Sequence, residues 1–548
     1  MKEDIKTVSG NIVDVLKGEI YPGTLVICNS RIADIKRERT TYQSFIIPGF
    51  IDSHFHVESS MLVPSEFARI AVIHGTVASV SDPHEIANVL GATGIDYMIQ
   101  NSKTVPLKIY FGAPSCVPAT DFETSGAVLG PEEVEQLLRM EEIKYLAEVM
   151  NVPGVIRGNP DISEKIRIAR KYLKVIDGHA PGLRGKDLET YIKVGISTDH
   201  ESFTKEEALE KIRLGMKIMI REGSAAKNLD ELIPLIDDNY ESCMFCSDDK
   251  HPDDLLKGHI NEMVKTALTY GVDLMKVLRV ACVNPVLHYG LDTGMLRKGD
   301  SADFLVINNL KELTLLKTYI NGKVVAEEGK SCIVNQPPQI VNNFHAAEKS
   351  VSDFVLPARN RKINVIEAID GQVITGRLSA NTMIADGNAV SDPDRDILKI
   401  AIINRYKESR VMIGFIKNIG LKNGAIASSI AHDSHNIIAV GVTDEAICRA
   451  VNLIIRTKGG IGAVSNNREE LLPLPVAGIM SDRDYTEVAE RYHEINNMAK
   501  QLGSTLQAPF MTLSFMSLPV IPQLKLTDKG LFDAEQFRFI DVFEGVRD

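Results

Sequence analysis

Residues 46–60, IIPGFIDSHFHVESS, end an apolar run in two histidines one residue apart, with Glu58 two positions further on. Side chains alternate across a strand, so His54 and His56 leave it on the same side, about 7 Å apart along the chain. Two imidazoles so placed can converge on one metal ion. An ordinary polar strand end can have the same local sequence, so the pair decides nothing alone. Other short β-branched runs finish in similar residues. Asp82 and His84 follow TVASVSD, Glu148 lies in YLAEVM, His179 in VIDGHA, His200 ends GISTDH, and Asp248 and Asp249 end SCMFCSDD. Four of the 13 histidines fall on three strand ends. Scattered surface histidines would not concentrate in this way, which favours a metal centre.

The elements that must position these residues repeat one pattern. Candidate strands start near residues 44, 76, 107, 145, 175, 195, 217 and 242, beginning with SFIIPGFID and ending with SCMFCSDD. Amphipathic or charged stretches separate most of them, and 131–143 and 163–173 have the clearest helical spacing. Strand–helix alternation implies a parallel sheet. Eight such units over roughly 240 residues predict an α/β fold of the closed (β/α)8, TIM-type kind. An open doubly wound sheet is the alternative, but it normally shows a Gly-rich turn after its first strand, and none is present. In a barrel of this kind, chemistry sits where the strands end. The flanks contain short strand-like runs on both sides. We expect one small β domain from 1–46 and 286–345, the barrel at 47–285, and a C-terminal α+β domain at 346–548.

The chain has 548 residues, enough for about three domains, and its 44% hydrophobic content supports real cores. A net charge of −12 argues against nucleic acid or an anionic membrane as partner. The first ten residues lack the apolar core of a signal peptide, and no run approaches a membrane span. Seven cysteines without framework spacing suggest reduced thiols and a cytoplasmic location. Cys243 and Cys246 are three apart on a strand, so they face opposite sides and read as core residues, not a metal pair. KGGIGAV at 458–464 lacks a phosphate-loop pattern and reads as a turn. AHDSHN at 431–436 reads as a hydrogen-bonded loop, with a second polar cluster near the barrel mouth or a subunit contact as the functional alternative.

PGFIDSHFHVESSM, DGHAPGL, STDHES and SDDKHPDDLL together resemble the amidohydrolase superfamily of metal-dependent hydrolases. With SDPHEIANVLG and HDSHNIIAVGV they are similar, more narrowly, to its adenine deaminases, over essentially the whole chain. Many binuclear members carry a carboxylated lysine at the end of the fourth strand. Here the position offers Glu148, as in adenine deaminases, while Lys144 lies too early to reach the mouth.

The resemblance implies hydrolysis of adenine to hypoxanthine and ammonia, in purine salvage or catabolism. A hydroxide shared by two metal ions would attack C6. His54, His56 and Asp248 are assigned to one ion, His179 and His200 to the other, and Glu148 to the bridge between them. Manganese or iron is implied, and zinc would suit the same N and O donors. Ammonia leaves poorly unless protonated, so a carboxylate must move a proton from water to the amine. Asp248 is the first candidate, Glu58 and Asp249 are lesser ones, and His84 could polarise the purine. Glu58 reads equally as a helix N-terminal acid, and Asp249, His251 and His259 as helix-start and loop residues. We expect a small-molecule purine as partner and a homodimer or higher homo-oligomer. The competing expectations are cyclic-amide hydrolysis of the dihydroorotase or hydantoinase type, and a non-catalytic metal-binding scaffold.

Overall fold

The computed structural model describes residues 4–545. Eight parallel strands form the barrel: Phe50–Phe55, Thr76–Ser81, Lys108–Ala113, Ile143–Val149, Val175–Gly178, Thr198–Asp199, Lys217–Arg221 and Cys243–Cys246. The first five pair in sequence order, as do the last three. Between the two sets the Ser197 N–H donates to the Ile176 carbonyl at 2.9 Å. The ring closes where the Asp248 N–H donates to the His54 carbonyl at 2.9 Å and the His56 N–H to Asp248 at 3.3 Å. The structure is therefore the TIM-type barrel that strand–helix alternation predicts.

Two expected elements are redrawn. The run at 44–52 is two strands: Phe45–Pro48 belongs to a neighbouring sheet, and Phe50–Phe55 opens the barrel. Between them lies Gly49, where a Cβ would come within 2.3 Å of the Val77 side chain. The helical stretch 131–143 is shorter, Pro131–Leu138, since Ile143 already starts the fourth barrel strand. The other clear helix spans Pro160–Lys171, and the Asn159 side chain caps it by accepting from the Asp161 and Ile162 N–H groups.

The chain on either side of the barrel shares one eight-stranded sheet. Phe45–Pro48 lies between Ile5–Asp14, which it parallels, and the antiparallel Phe304–Ile307. A second eight-stranded sheet organises the C-terminal region, with Ile397–Ile403 between Met412–Lys417 and Ile437–Gly441. The segment 458–464 is mostly an inner strand of this sheet, Gly460–Val464, and not merely a turn. Helix Asp444–Arg456 covers one part of the sheet. Helix Tyr485–Gln501 packs on the barrel helices Pro64–Ala71 and Pro252–Lys257. Arg69 bridges Glu66 and Asp484 across that contact, at 2.7 and 2.6 Å. A single apolar core runs from barrel to C-terminal region, so the latter sits firmly over the strand ends.

One buried lysine ties this cover together. Lys525 donates to the Val373 and Phe515 carbonyls, both at 2.9 Å, and burial pushes its pKa down to about 7. Between about pH 7 and the ordinary lysine value of 10.5 the unfolded chain holds this proton and the folded chain does not. Stability from this group is therefore lost below that window and recovered as pH rises through it. The wild-type stability relative to Lys525→Met should rise from pH 7 to pH 10, by at most about 4 kcal/mol. Paired denaturant titrations at the two pH values check this; a pH-independent difference would refute it.

Candidate metal centre

The six side chains His54, His56, Glu148, His179, His200 and Asp248 converge at the ends of the barrel strands. His54 and His56 leave the same side of the first strand and stand edge to face, with ring centroids 4.9 Å apart. Their Nε2 atoms lie 3.5 and 3.2 Å from Asp248 Oδ1. His179 Nδ1 and His200 Nε2 lie 2.9 and 3.3 Å from Glu148 Oε2. Glu148 Oε1 faces another pair, His56 Nε2 and His84 Nδ1, both at 3.6 Å. One carboxylate thus presents its two oxygens to two different groups of imidazoles.

Neighbouring residues fix these orientations. His56 Nδ1 is 3.0 Å from the Asp82 carbonyl, which turns Nε2 inward. Asp52 accepts from the His54 and Ser247 N–H groups at 3.3 and 3.1 Å. His259 lies 2.8 Å from Asp52 and 2.7 Å from Thr76, so it ties the first and second strands together. Lys211, wholly buried, donates to the Ala180 carbonyl and to Asp199 at 2.7 and 2.9 Å. It thereby holds the residues adjoining His179 and His200.

The donors suit divalent cations. His54 is fully buried, and neither ring nitrogen has a hydrogen-bond partner. Among the described residues several groups of three or four donors lie within 4.8 Å of one another, including His54–His56–Asp248, His54–Glu148–His200 and His56–Asp82–His84–Glu148. Burial lowers the His200 pKa, but Asp248 and Glu148 outweigh it and raise it to about 9. Such a negative potential favours bound cations. Imidazole and carboxylate donors without thiolate suit first-row divalent metals.

Other candidates take different places. The eighth strand stops at Cys246, ahead of Asp248 and Asp249, and Asp248 has φ +52. The chain turns there, so Asp249 also lines the cavity, where Ser59 donates to it. Burial, then Asp248, raises its pKa. Glu58 lies in a single 3-10 turn, Val57–Ser60, and accepts from the Ile86 N–H at 3.2 Å. Burial raises its carboxyl to about 7. It borders the His84 helix and is not among the cavity residues. His251 packs against the Tyr492 ring, away from the donors. Cys243 and Cys246 are buried in the eighth strand.

Sequence reasoning passed over Arg221, Glu201 and Glu85, and underweighted 431–436. Arg221 ends the seventh strand, 2.6 Å from Asp248 and 3.2 Å from Glu201. Burial raises the Asp248 carboxyl, but His200, Arg221 and the two first-strand histidines hold it well below the usual range. The segment 431–436 is more than a loop. It brings His432, 2.7 Å from Glu85, and Asp433 into the same cavity as His84. The His432 ring lies parallel to Phe515 at 4.6 Å.

Residues 45–325 match the Amidohydrolase family, and residues 372–538 match the Adenine deaminase C-terminal domain. A relative from Salinibacter ruber named adenine deaminase is 53% identical over 98% of this chain and 99% of its own. The chain belongs to the amidohydrolases, among the adenine deaminases. A relative of the same name from Methanosarcina acetivorans is 52% identical, and one from Borreliella burgdorferi 50% identical, each over 98% of this chain and 100% of its own. This amidohydrolase is a metal-dependent hydrolase by family, and its buried clusters can bind metal. Among the described residues no helix is long and apolar enough to cross a membrane.

Proposed function

We propose that this amidohydrolase converts adenine to hypoxanthine and ammonia at the cluster around Glu148. The carrying observation is the full-length match, at about half of all positions and through the C-terminal region, to relatives named adenine deaminase. In this reading His54, His56 and Asp248 would hold one ion and His179 and His200 the other, with Glu148 as a ligand common to both. Two divalent ions, manganese or iron, would lower the pKa of water toward neutrality and so supply the nucleophile at physiological pH.

The protein's own groups perform the rest. Asp248 accepts a proton from the attacking water and returns it to the C6 amine, which departs as ammonia when the C–N bond breaks. Arg221 fixes Asp248 from the far oxygen, at 2.6 Å. His84 stands between Glu148 and Asp433, 3.6 and 4.0 Å from them, where it can hydrogen-bond the purine ring. Glu58 has a positioning role through the His84 helix, a different role from the proton transfer first considered for it. We place the reaction in purine salvage or catabolism, in the cytoplasm, on a homodimer or larger homo-oligomer.

Protein grown in excess manganese should release ammonia from adenine, with adenosine turned over far more slowly. The same preparation should approach two metal ions per chain by elemental analysis, because six ligands exceed the usual three of one catalytic zinc. Turnover of a cyclic ureide in place of adenine would overturn the substrate assignment. A plateau at one ion with full activity would overturn the two-metal assignment.

A further inference from the structure

We infer that Asp433, brought in by the C-terminal domain, accepts a hydrogen bond from the five-membered-ring N–H of the purine and so selects the free base. This rests on the proposed adenine chemistry but adds a substrate contact to it. Asp433 is 2% exposed, and its Oδ2 has no hydrogen-bond partner. Its nearest cationic neighbours lie outside hydrogen-bond range: His432 Nδ1 at 3.7 Å and His84 Nε2 at 4.0 Å. A buried carboxylate oxygen left unpaired is costly, so a donor is expected from whatever fills the cavity.

The cavity that Asp433 lines is also lined by Glu148 and Asp248 on one side. Apolar side chains also line it, among them Met150, Val373, Phe515, Leu518 and Ile521. Such walls suit the faces of a flat heterocycle, while a few polar groups fix its orientation. Adenine has two kinds of N–H donor. The exocyclic amine sits on C6 and must face the reacting end. Only the ring N–H remains for a carboxylate at the opposite end, since the other ring nitrogens are acceptors. The His84 imidazole separates Asp433 from Glu148, which puts the two carboxylates at different parts of a bound purine. A substituent on the ring nitrogen removes the donor and leaves Asp433 unpaired. Sites built this way reject the analogue strongly.

The test compares adenine with 9-methyladenine and 7-methyladenine, which both lack a ring N–H but carry the methyl on different sides. Wild type should prefer adenine over both. Asp433→Ala should lower kcat/KM for adenine roughly 10–150-fold, the range of one hydrogen bond to a charged group. The methyladenines should change little, so the preference collapses. Asp433→Asn keeps an acceptor oxygen and should fall between. Metal content should not change. Equilibrium binding of hypoxanthine against 9-methylhypoxanthine to the wild-type protein gives a measurement that needs no variant, and hypoxanthine should bind more tightly. Equal binding of the two, or an unaltered preference in Asp433→Ala, overturns the inference while leaving adenine deamination standing. Failure of the metal-replete wild type to act on adenine overturns both.

Discussion

Asp248→Asn should lower kcat by roughly 10²–10⁴-fold, the usual scale for losing a positioned acid–base group. The substitution keeps the size and one oxygen donor and removes the charge that accepts the proton. Because the lost interaction belongs to the transition state, kcat and kcat/KM should fall together. Asp248 touches the first-strand histidines with one oxygen and Arg221 with the other, so metal content must be measured on the same sample. Asp249 lines the same cavity and is no silent control. It is the competing proton carrier, and burial raises its pKa while that of Asp248 is held low. Near-normal kcat in metal-replete Asp248→Asn, with loss in Asp249→Asn, would assign the transfer to the neighbour.

The second large effect is expected at Glu148. Glu148→Gln replaces the carboxylate that both imidazole groups share. Loss of an outer partner of a ligand costs about 10–100-fold in metal affinity, and loss of the shared ligand should cost more. After dialysis against metal-free buffer the variant should retain at most one ion per chain and show no measurable deamination. Two retained ions would remove Glu148 from the bridging role. His179 and His200 would also exchange a charged acceptor, at 2.9 and 3.3 Å, for a neutral amide, so thermal stability should drop in the metal-free variant as well.

Much of the barrel was legible because each strand announces itself twice, by a β-branched run and by the polar residues that end it. His54, His56, Glu148, His179, His200 and Asp248 could be found from that rule. Arg221 satisfied it too, at the end of KIMIRE, but arginine is not a metal ligand and so drew no attention. Glu201 directly follows His200 and was within reach of the same reading. Asp249, a lesser candidate by sequence, reaches the cavity because alternation holds only inside a strand and the left-handed turn at Asp248 resets the phase. AHDSHN stands out as a polar cluster, but nothing local assigns Asp433 or His432 to this site. Their place beside His84 depends on a packing between segments more than 300 residues apart, and no periodicity encodes that. The Phe45–Pro48 strand was hidden by continuity, since one apolar run serves two sheets and only Gly49 marks the change.

The shared sheet has a consequence for how the polypeptide comes into being. Phe45–Pro48 needs Phe304–Ile307 as an edge partner, and that segment is made about 250 residues later. At ribosomal speeds of about 5–20 residues per second, Phe45–Pro48, once paired with Ile5–Asp14, waits on the order of ten to fifty seconds for that second partner. The donor cluster waits almost as long. His54 and His56 emerge early, but Asp248 joins them only when the eighth strand reaches the first. A nascent chain therefore carries its first histidines before the rest of the donor set exists, and that set is complete only once the eighth strand has been made.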